Sequence, residues 1–360
     1  MDKNLTLPGR LGDPNLILTD DPRLDPRLRQ ALSATPDTTE GQQLTSIDAN
    51  SSYEDCLNHC AAMEAGHMQM FPDEVAVPAG ITRSTQSITS VDGNKIVLHI
   101  HRPKGTSSDL PCIVDFHGGG MAMLSTTFPP FVRWRDSLAG AGTVVIGVEF
   151  RNAGGMLGNH PFPKGLNDCS AAVRWLYAQK QYLGISTIVL SGASGGSNLA
   201  LAVTLLARQE DWLSEIDGVY AMCPYISGAY ASKPTDLLSL HENDGYVMNL
   251  DELACLAKIY TPDDSNATNP LAWPYYAKSS DLEGLPPHFI SVNELDPLRD
   301  EGIAYFRNLL AAGVSAICRT IPGSTHGSDV MFRVLAPDTY MESERSVVGF
   351  VKSLPSKDLD

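Results

Sequence analysis

Short apolar runs alternate with segments of helical periodicity along most of the chain. The runs over 112–116, 143–150 and 187–190 are apolar at nearly consecutive positions, not only at every second one. Such runs are typical of strands that helices cover on both faces of a parallel sheet. The pattern therefore predicts an α/β architecture with a mostly parallel central sheet.

The other elements follow the same rhythm. The turn Asp92-Gly93-Asn94 between apolar segments predicts a β-hairpin at the start of the sheet. We expect further strands over 218–223, 288–292 and 316–321. We expect helices over 131–139, 167–180, 195–208, 251–260, 300–312 and 341–351.

Two segments interrupt this alternation. Residues 1–80 contain no strand pattern, and residues 226–283 hold mixed loops with one clear helix. We therefore expect a core formed by 81–225 and 284–360. The N-terminal arm 1–80 and the insertion 226–283 are expected to form a mainly helical cap over the carboxyl edge of the sheet, where open α/β sheets bind ligands.

The arm contains one long predicted helix. Ser51 or Ser52 can cap a helix that runs from Tyr53 toward Met70, and a shorter helical pattern precedes it over 25–32. The apolar positions of the long helix are expected to form its buried face, namely Leu57, Cys60, Ala61, Ala65 and Met68.

Two glycine-rich motifs follow predicted strands. Gly192-Ala193-Ser194-Gly195-Gly196 fits G-x-S-x-G, the sharp strand-to-helix turn that lifts a serine Oγ clear of its backbone. In His117-Gly118-Gly119-Gly120, glycines allow peptide N–H groups to turn toward a developing oxyanion. In this order, about 75 residues apart, the motifs predict a serine hydrolase with an α/β-hydrolase fold. Two glycine-rich turns without chemistry are the alternative.

A serine nucleophile requires a base and a group that orients the base. In this fold the order along the chain is serine, acid, histidine. Of nine histidines only His326 lies beyond the last predicted strand, in a glycine-flanked loop. Asp296 precedes a proline about 30 residues before His326 and is the predicted acid, with Glu294 as second choice. We expect Asp300 and Glu301 in the first turn of the next helix, where its dipole favours acidic residues.

The net charge and the cysteines indicate which partners, compartment and metal sites to expect. The formal net charge of −16 argues against nucleic acid and anionic membranes, because both would repel the chain. The first residues lack the apolar core of a signal peptide, and no window approaches a membrane span. The seven cysteines are scattered, which favours reduced thiols and a cytoplasmic protein. Cys56 and Cys60 are four apart, but no nearby cysteine or histidine pair completes a metal site.

Several motifs in combination carry a family resemblance. They are the His-Gly-Gly-Gly run, the serine motif followed by Asn198-Leu199-Ala200, His160-Pro161-Phe162-Pro163, and Asp296-Pro297-Leu298-x-Asp300. Together they resemble the hormone-sensitive lipase family of carboxylesterases. Phe150-Arg151-Asn152-Ala153, Glu242-Asn243-Asp244-Gly245-Tyr246 and the segment 293–302 resemble its bacterial brefeldin A esterase branch more closely.

The resemblance covers about residues 85–350 and implies roles for named residues. It implies Ser194 as nucleophile, His326 as base and Asp296 as the partner of the base. It also implies an oxyanion hole formed by the backbone N–H groups of Gly118, Gly119 and Gly195.

The chain departs from the family's pattern at three places. Ala193 stands where the family usually has an acidic residue, which removes an expected hydrogen bond behind the serine. Ser197 follows the two glycines of the serine motif, an unusual residue at that position. The segment 151–155 replaces the family's more common Arg-Leu-Ala-Pro-Glu, so we expect a pocket loop of different shape.

The leading hypothesis is a carboxylic ester hydrolase that works through an acyl-enzyme without metal or organic cofactor. We expect a soluble small-molecule ester with a short to medium acyl chain as substrate, and the resemblance to the brefeldin A esterase branch implies that lactones are accepted too. Met121, Tyr246 and Met248 are expected to line an apolar pocket. An amidase on the same triad and a non-catalytic small-molecule receptor on the same fold are the alternatives, and a homodimer is left open.

Overall fold

An eight-stranded sheet forms the centre of the computed structural model, which describes residues 7–34, 47–48, 50–71, 74–106 and 109–355. The spatial order of the strands is β1-β2-β4-β3-β5-β6-β7-β8. Only β2 runs antiparallel to its neighbours, and every pair from β4 to β8 is parallel. The strands are β1 (Ile81–Thr89), β2 (Lys95–Pro103), β3 (Leu110–Phe116), β4 (Val144–Glu149), β5 (Ile185–Ala193), β6 (Gly218–Met222), β7 (His288–Leu295) and β8 (Ala316–Thr325).

Helices lie on both faces of this sheet. The α-helices within the described residues are α1 (Gly9–Gly12), α2 (Pro26–Ala34), α3 (Tyr53–Met70), α4 (Pro129–Gly140), α5 (Lys164–Ala178), α6 (Gly195–Gln209), α7 (Leu238–Glu242), α8 (Leu250–Tyr260), α9 (Ser279–Leu282), α10 (Arg299–Ala311), α11 (Ser328–Met331) and α12 (Pro337–Ser353). The predicted α/β-hydrolase architecture with a mostly parallel sheet is confirmed. None of the helices in the described ranges has the length and apolarity that a membrane crossing requires.

Alternate residues of each central strand pack against different helices. On β3, Val114 lies in a core cluster with residues of α5, α6 and α10, whereas its neighbour Ile113 packs with Trp134 of α4 and Val347 of α12. Because successive side chains of a strand point to opposite faces, a strand covered on both faces must be apolar at consecutive positions. The doubly covered sheet thus explains the apolar runs.

The long arm helix forms as predicted but buries a different face. Its first turn is closed by a capping box, in which Ser52 accepts a hydrogen bond from the N–H of Asp55 and the Asp55 carboxylate accepts one from the N–H of Ser52. The buried positions are Cys56, His59, Cys60 and Glu64. Ala61, Ala65 and Met68, expected on the buried face, are exposed. The expectation was wrong because the buried face of α3 includes polar side chains, and Glu64 and Cys60 contact loop backbone there.

The arm and the insertion are joined covalently. Helix α3 packs against α8, and Cys56 of α3 forms a disulfide with Cys255 of α8, with 5.2 Å between the two Cα atoms. The expectation that all cysteines are reduced is therefore corrected for this pair. Sequence spacing could not reveal it because 199 residues separate the two cysteines. The other five cysteines remain thiols.

Candidate active site

The predicted site residues converge at one edge of the sheet. Ser194 follows β5, Asp296 follows β7, and His326 follows β8. The glycine run begins one residue after the end of β3. Because these four strands are parallel, their carboxyl ends meet on the same side of the molecule.

Ser194 occupies a sharp turn between β5 and α6. Its φ of 57° and ψ of −119° place a non-glycine residue in a rarely populated region, as expected of a strained nucleophile turn. The turn requires close packing, because a Cβ on Gly196 would overlap the carbonyl oxygen of Phe116. The backbone N–H of Ser194 donates to Met222 O at 2.9 Å, which ties the turn to β6.

Asp296 and His326 form a hydrogen-bonded pair. The distance from His326 Nδ1 to Asp296 Oδ2 is 2.8 Å, and Asp296 is fully buried. The other carboxylate oxygen, Oδ1, accepts the N–H of Leu298 at 2.9 Å. With both oxygens engaged, the carboxylate has a fixed orientation toward the imidazole. Among the described residues, no bond joins Ser194 Oγ to His326 Nε2 in this structure, and catalytic bonds of this type often close only when substrate is bound.

Glu294, the second choice for the acid, contacts the histidine loop and not the imidazole. Its Oε2 accepts the backbone N–H of Gly323 at 2.8 Å. The geometry therefore favours Asp296 over Glu294 as the partner of His326.

The N-terminal arm supports the loop that carries Asp296. Arg23 forms an ion pair with Glu242, and Asn243 donates to the carbonyl of Asp296 at 3.1 Å. Burial raises the pKa of Glu242, but pairing with Arg299 and Arg23 outweighs it and leaves that pKa below its ordinary value. This carboxylate is thus charged at neutral pH and links the arm to the acid loop.

The glycine run after β3 is oriented by His117. Burial lowers the pKa of His117 to about 3, so the ring is neutral, and it stacks on Phe150 with 4.2 Å between ring centroids. Its Nδ1 lies 2.7 Å from the carbonyl oxygen of Gly118 and donates to it. In a trans peptide the carbonyl and the next N–H point in opposite directions. The N–H of Gly119 is therefore turned away from His117.

Two of the expected oxyanion glycines lie against the serine turn. A Cβ built on Gly118 would lie 3.8 Å from the Cβ of Ser194, and one built on Gly195 would lie 2.6 Å from the backbone nitrogen of Met121. Gly119 has a φ of 107°, and a Cβ there would overlap the carbonyl oxygen of Met123. The loop and the first turn of α6 thus approach each other as closely as glycine allows.

Cys223 lies between the serine turn and the acid–base pair. The backbone N–H groups of Ser194 and Gly327 are within hydrogen-bond reach of its sulfur. The Sγ of Cys223, a carboxylate oxygen of Asp296 and a ring nitrogen of His326 all lie within 4.8 Å of one another, and a metal ion could be bound by such a set. However, burial together with the nearby carboxylates raises the pKa of Cys223 well above 9, so it is a thiol and not the thiolate that metals bind.

The three predicted pocket residues occupy different surroundings. Met121 is buried in the loop after the glycine run, with a φ of 58°. Met248 is half-buried and pairs with Tyr246 in an isolated bridge. Tyr246 packs beside Leu295 and two arm leucines, and its hydroxyl donates to Asp21 at 3.1 Å. The structure therefore gives Tyr246 a role in anchoring the arm next to the acid loop.

A cavity of about 850 Å³ opens away from these residues. It lies between the end of α3, the β1–β2 hairpin and α4, with Phe71, His99 and Val132 among its lining residues. None of the predicted site residues lines it. The strand ends, and not this cavity, therefore define the candidate site.

Comparisons with known proteins identify the family to which this fold belongs. The α/β-hydrolase-fold family model matches residues 113–329. A solved structure of brefeldin A esterase, described as a bacterial homologue of human hormone-sensitive lipase, is 43% identical, with a TM-score of 0.89 over 96% of this chain and 98% of that one. The chain belongs to the hormone-sensitive-lipase-like family of α/β-hydrolases. The expected likeness to the brefeldin A esterase branch of this family is thereby confirmed.

Two further esterases are similar over most of the chain. Carboxylesterase NlhH of Mycobacterium tuberculosis is 30% identical over 265 residues, which are 72% of this chain and 79% of that protein. The structure of esterase Est22 is 37% identical, with a TM-score of 0.82 over 93% of this chain and 99% of that one. Ester hydrolysis on the α/β-hydrolase fold is the activity that these family members support, and the expectation of an enzyme of the carboxylesterase type is confirmed.

One departure from the family pattern has a structural explanation. The hydroxyl of Ser197 lies 2.7 Å from Gly192 O and 2.6 Å from Met222 O, so it joins β5 and β6 directly beneath the serine turn. Ala193 is half-buried, and nothing in the structure explains its replacement of the usual acidic residue.

Residues of the arm that support the site were missed by sequence reasoning. Arg23 and Glu64 both contact loops at the carboxyl edge of the sheet. For Glu64 a signal was present, because Cys56, Cys60 and Glu64 follow one another at intervals of four and share one helix face. For Arg23 no pattern pointed to Glu242, 219 residues later.

Proposed function

We propose that the protein is a serine carboxylic ester hydrolase with Ser194 as nucleophile, His326 as general base and Asp296 as the residue that orients the base. The observation that carries this proposal is the 2.8 Å bond between His326 Nδ1 and the fully buried Asp296 carboxylate, at strand ends beside the strained Ser194 turn. A bond of this type holds the imidazole in the tautomer whose Nε2 can accept a proton.

The reaction follows from these roles. Ser194 Oγ attacks the ester carbonyl while His326 Nε2 takes the hydroxyl proton, and a tetrahedral oxyanion forms. The N–H groups of Gly118, Gly119 and Gly195 stabilise that oxyanion. The imidazolium then protonates the leaving alcohol, and water, activated by the same base, releases the acid from the acyl-enzyme.

The substrate is proposed to be a soluble small-molecule ester with a short to medium acyl chain, with lactones included. The support is the α3–α8 helix pair, whose residues contact the loop that bears the oxyanion glycines. Helices in that position form a cap, and a cap favours an enclosed, mainly apolar pocket over an open lipid-binding surface.

The nucleophile is tested with a fluorophosphonate probe and with Ser194→Ala. The probe should add one adduct mass to the peptide that contains Ser194, and Ser194→Ala should lose hydrolysis while its melting temperature is retained. Ser87→Ala, at an exposed position on β1, is the matched control and should remain fully active. A label on another residue with Ser194 unmodified would refute the assignment. A labelled Ser194 without turnover of any ester would favour a receptor or an amidase.

Substrate size is tested with p-nitrophenyl esters of increasing acyl length. Each methylene that the pocket buries contributes about 0.8 kcal/mol, until the pocket is full and further carbon atoms clash with its wall. We expect kcat/KM to rise from acetyl to a short or medium chain and to fall beyond it. A rise that continues through long chains, with a further increase on emulsified triglyceride, would identify a lipase instead.

A further inference from the structure

Glu64 is a buried carboxylate to which the proposed reaction assigns no role. It lies on α3 and is 2% exposed. Within the described ranges, no lysine, arginine or histidine lies within salt-bridge distance of it. A buried carboxylate without a cation is costly unless other groups satisfy its oxygens. The hydrogen-bond partners of Glu64 therefore indicate the role of this buried carboxylate.

The two oxygens of Glu64 bind two different loops. Oε1 accepts the backbone N–H of Leu124 at 2.7 Å, in the loop that continues the glycine run. Oε2 accepts the backbone N–H of Met156 at 2.6 Å, in the loop after β4. Bonds of this length to a carboxylate are of the strong, charge-assisted type. One side chain of the arm thus connects two loops of the core.

The same two loops are also joined by their own backbones. The N–H of Ala153 donates to Met121 O at 2.8 Å, and the N–H of Gly154 donates to Ala122 O at 2.9 Å. These contacts hold carbonyl groups of the loop after the glycine run. Glu64 is the side chain that holds its Leu124 N–H.

A short turn connects Leu124 to the expected oxyanion glycines, so the position of Leu124 affects where the N–H groups of these glycines lie. The N–H groups of Ala122 and Met123 both donate to Gly119 O, at 3.0 and 3.1 Å. Met121 and Leu124 have φ values of 58° and 70°, a conformation that is unfavourable for residues with a side chain. A loop with two such residues keeps its shape only if external contacts hold it.

Helix α8 contacts the same loop from the insertion. Leu256 Cδ1 would lie 3.0 Å from a Cβ on Gly120, and Cys60 of α3 places its sulfur 3.6 Å from Ala122 O. Because Cys56 is bonded to Cys255, these contacts come from two helices that are joined covalently. Among them, the Glu64 carboxylate forms the charged contact.

We propose that Glu64 is a positioning residue for the oxyanion hole: by holding Leu124 and Met156 it fixes the loop whose glycine N–H groups bind the developing oxyanion. The inference rests on the proposed serine hydrolase mechanism. It makes the arm part of the catalytic apparatus, although Glu64 does not touch substrate.

Glu64→Gln and Glu64→Ala test this role. Glutamine keeps the length of the side chain but replaces one acceptor with an N–H group that faces a backbone N–H, and alanine removes both acceptors. We expect kcat to fall about 10-fold for Glu64→Gln and about 100-fold for Glu64→Ala, because complete loss of one oxyanion-hole donor costs about 10²- to 10³-fold and these variants only displace the donors. KM should stay within about twofold, because ground-state binding does not use the oxyanion hole.

Binding of a transition-state analogue distinguishes a specific effect of Glu64 on the oxyanion hole from a general loosening of the fold. The affinity for a trifluoromethyl ketone, which forms an oxyanion on the serine, should fall by the same factor as kcat/KM. The affinity for the carboxylic acid product should not change. Equal affinity of wild type and variants for the ketone would overturn the proposal, as would a rise in KM at constant kcat.

Three further variants address charge, folding and backbone strain. Glu54→Gln makes the same substitution at an exposed position of α3 and should leave kcat unchanged. Gly155→Ala approaches the carboxylate from the other side, because a Cβ there would lie 2.6 Å from Glu64 Oε2. It should reproduce the loss of kcat even if Glu64→Ala does not fold. Gly313→Ala, at a position with similar positive φ and open space around it, controls for backbone strain.

Failure of the inference can be distinguished from failure of the proposed mechanism. If the fluorophosphonate labels Ser194 in every variant to completion while kcat falls, both proposals are supported. If it labels Ser194 and kcat is unchanged in Glu64→Ala, the mechanism stands and the role of Glu64 is refuted. If wild-type Ser194 is not labelled, the mechanism itself fails.

Discussion

The triad edge and the oxyanion loop are two halves of one candidate site, but they are held in different ways. Ser194, Asp296 and His326 stand directly at the ends of strands, so the hydrogen bonds of the sheet determine where they lie. The loop after β3 contains residues in unfavourable backbone conformations and is held by α3, a helix of the N-terminal arm. The first half is built by the core, and the second half also needs the arm.

This difference indicates which residues should affect catalysis when they are substituted, although they do not contact substrate. Each strand-end residue is set by its own strand and by one or two side-chain bonds, such as the bond of His326 to Asp296. The shape of the oxyanion loop depends on contacts between segments that are far apart in the chain, with Glu64 60 residues from Leu124. Each strand-end residue is thus positioned mainly by the strand that it follows, whereas the supports of the loop after β3 come from distant segments.

The largest effect is expected at the triad edge, from Asp296→Asn. An amide in place of the carboxylate no longer fixes the tautomer of His326, and kcat should fall by about 10⁴-fold, as in triads of this type. Glu294→Gln is the matched control and should lose far less, because Glu294 bonds Gly323 and not the imidazole. Steady-state kinetics of both variants decide the matter. A nearly active Asp296→Asn beside an inactive Glu294→Gln would exchange the two assignments.

The disulfide sharpens the comparison because it joins α3 and α8, the two helices that contact the loop after β3. Closing a loop of 199 residues restricts the unfolded chain, so the double variant Cys56→Ser/Cys255→Ser should lose about 2–5 kcal/mol in free energy of unfolding. A peptide that links Cys56 to Cys255 should appear in a non-reduced digest. Cys318→Ser, at a half-buried free thiol, is the control. A digest without the linked peptide, with equal melting temperatures in the presence and absence of reductant, would contradict the disulfide.

The smallest effect concerns Glu301, a buried carboxylate on the triad side of the site. Its Oε1 accepts the N–H of Ile226 at 2.6 Å and the hydroxyl of Tyr230 at 2.9 Å. Burial raises the pKa of Glu301 to about 7. Its contribution to stability is therefore fully present below the ordinary value of 4.5 and is lost as the pH rises through about 7.

Glu301→Gln should remove this pH dependence, because an amide does not ionise. The melting temperature of the variant relative to wild type should increase by a few degrees between pH 5 and 8. Glu283→Gln, an exposed glutamate in the insertion, serves as the control and should follow the wild-type curve. Parallel curves for Glu301→Gln and wild type would show that Glu301 is ionised at no cost in the folded protein.

The sequence was sufficient to predict most of the sheet, and the residues that it proposed for the triad lie together at one edge of that sheet. The strands at 112–116 and 187–190 could be predicted because a doubly covered strand is apolar throughout, and the serine turn because residues 192–196 fit the G-x-S-x-G pattern. The predicted strand over 288–292 was three residues too short, since β7 continues through polar Asn293 and Glu294 to Leu295. Those residues look like a loop in the sequence, but their side chains bond to the histidine loop.

The supports of the site could not be predicted in the same way. The buried face of α3 contains a histidine and a glutamate, so a search for apolar periodicity selected Ala61 and Met68 instead. The pairing of Cys56 with Cys255 and of Arg23 with Glu242 depends on the folded arrangement of distant segments. Tyr246 was predicted to line an apolar pocket together with two methionines, and the bond of its hydroxyl to Asp21 in the arm could not be predicted.

The contacts of the arm have a consequence for the construction of hybrid enzymes. Residues 9–70 resemble an exchangeable cap, and a splice near residue 80 would transplant them from a relative as a unit. Such a chimaera would also replace Arg23, which pairs with Glu242 beside the acid loop, and Glu64, which holds the loop after β3. If the arm has the proposed roles, recombination at this point would change turnover together with substrate choice. A library intended to vary only specificity should keep positions 23 and 64 and their partners from the same parent.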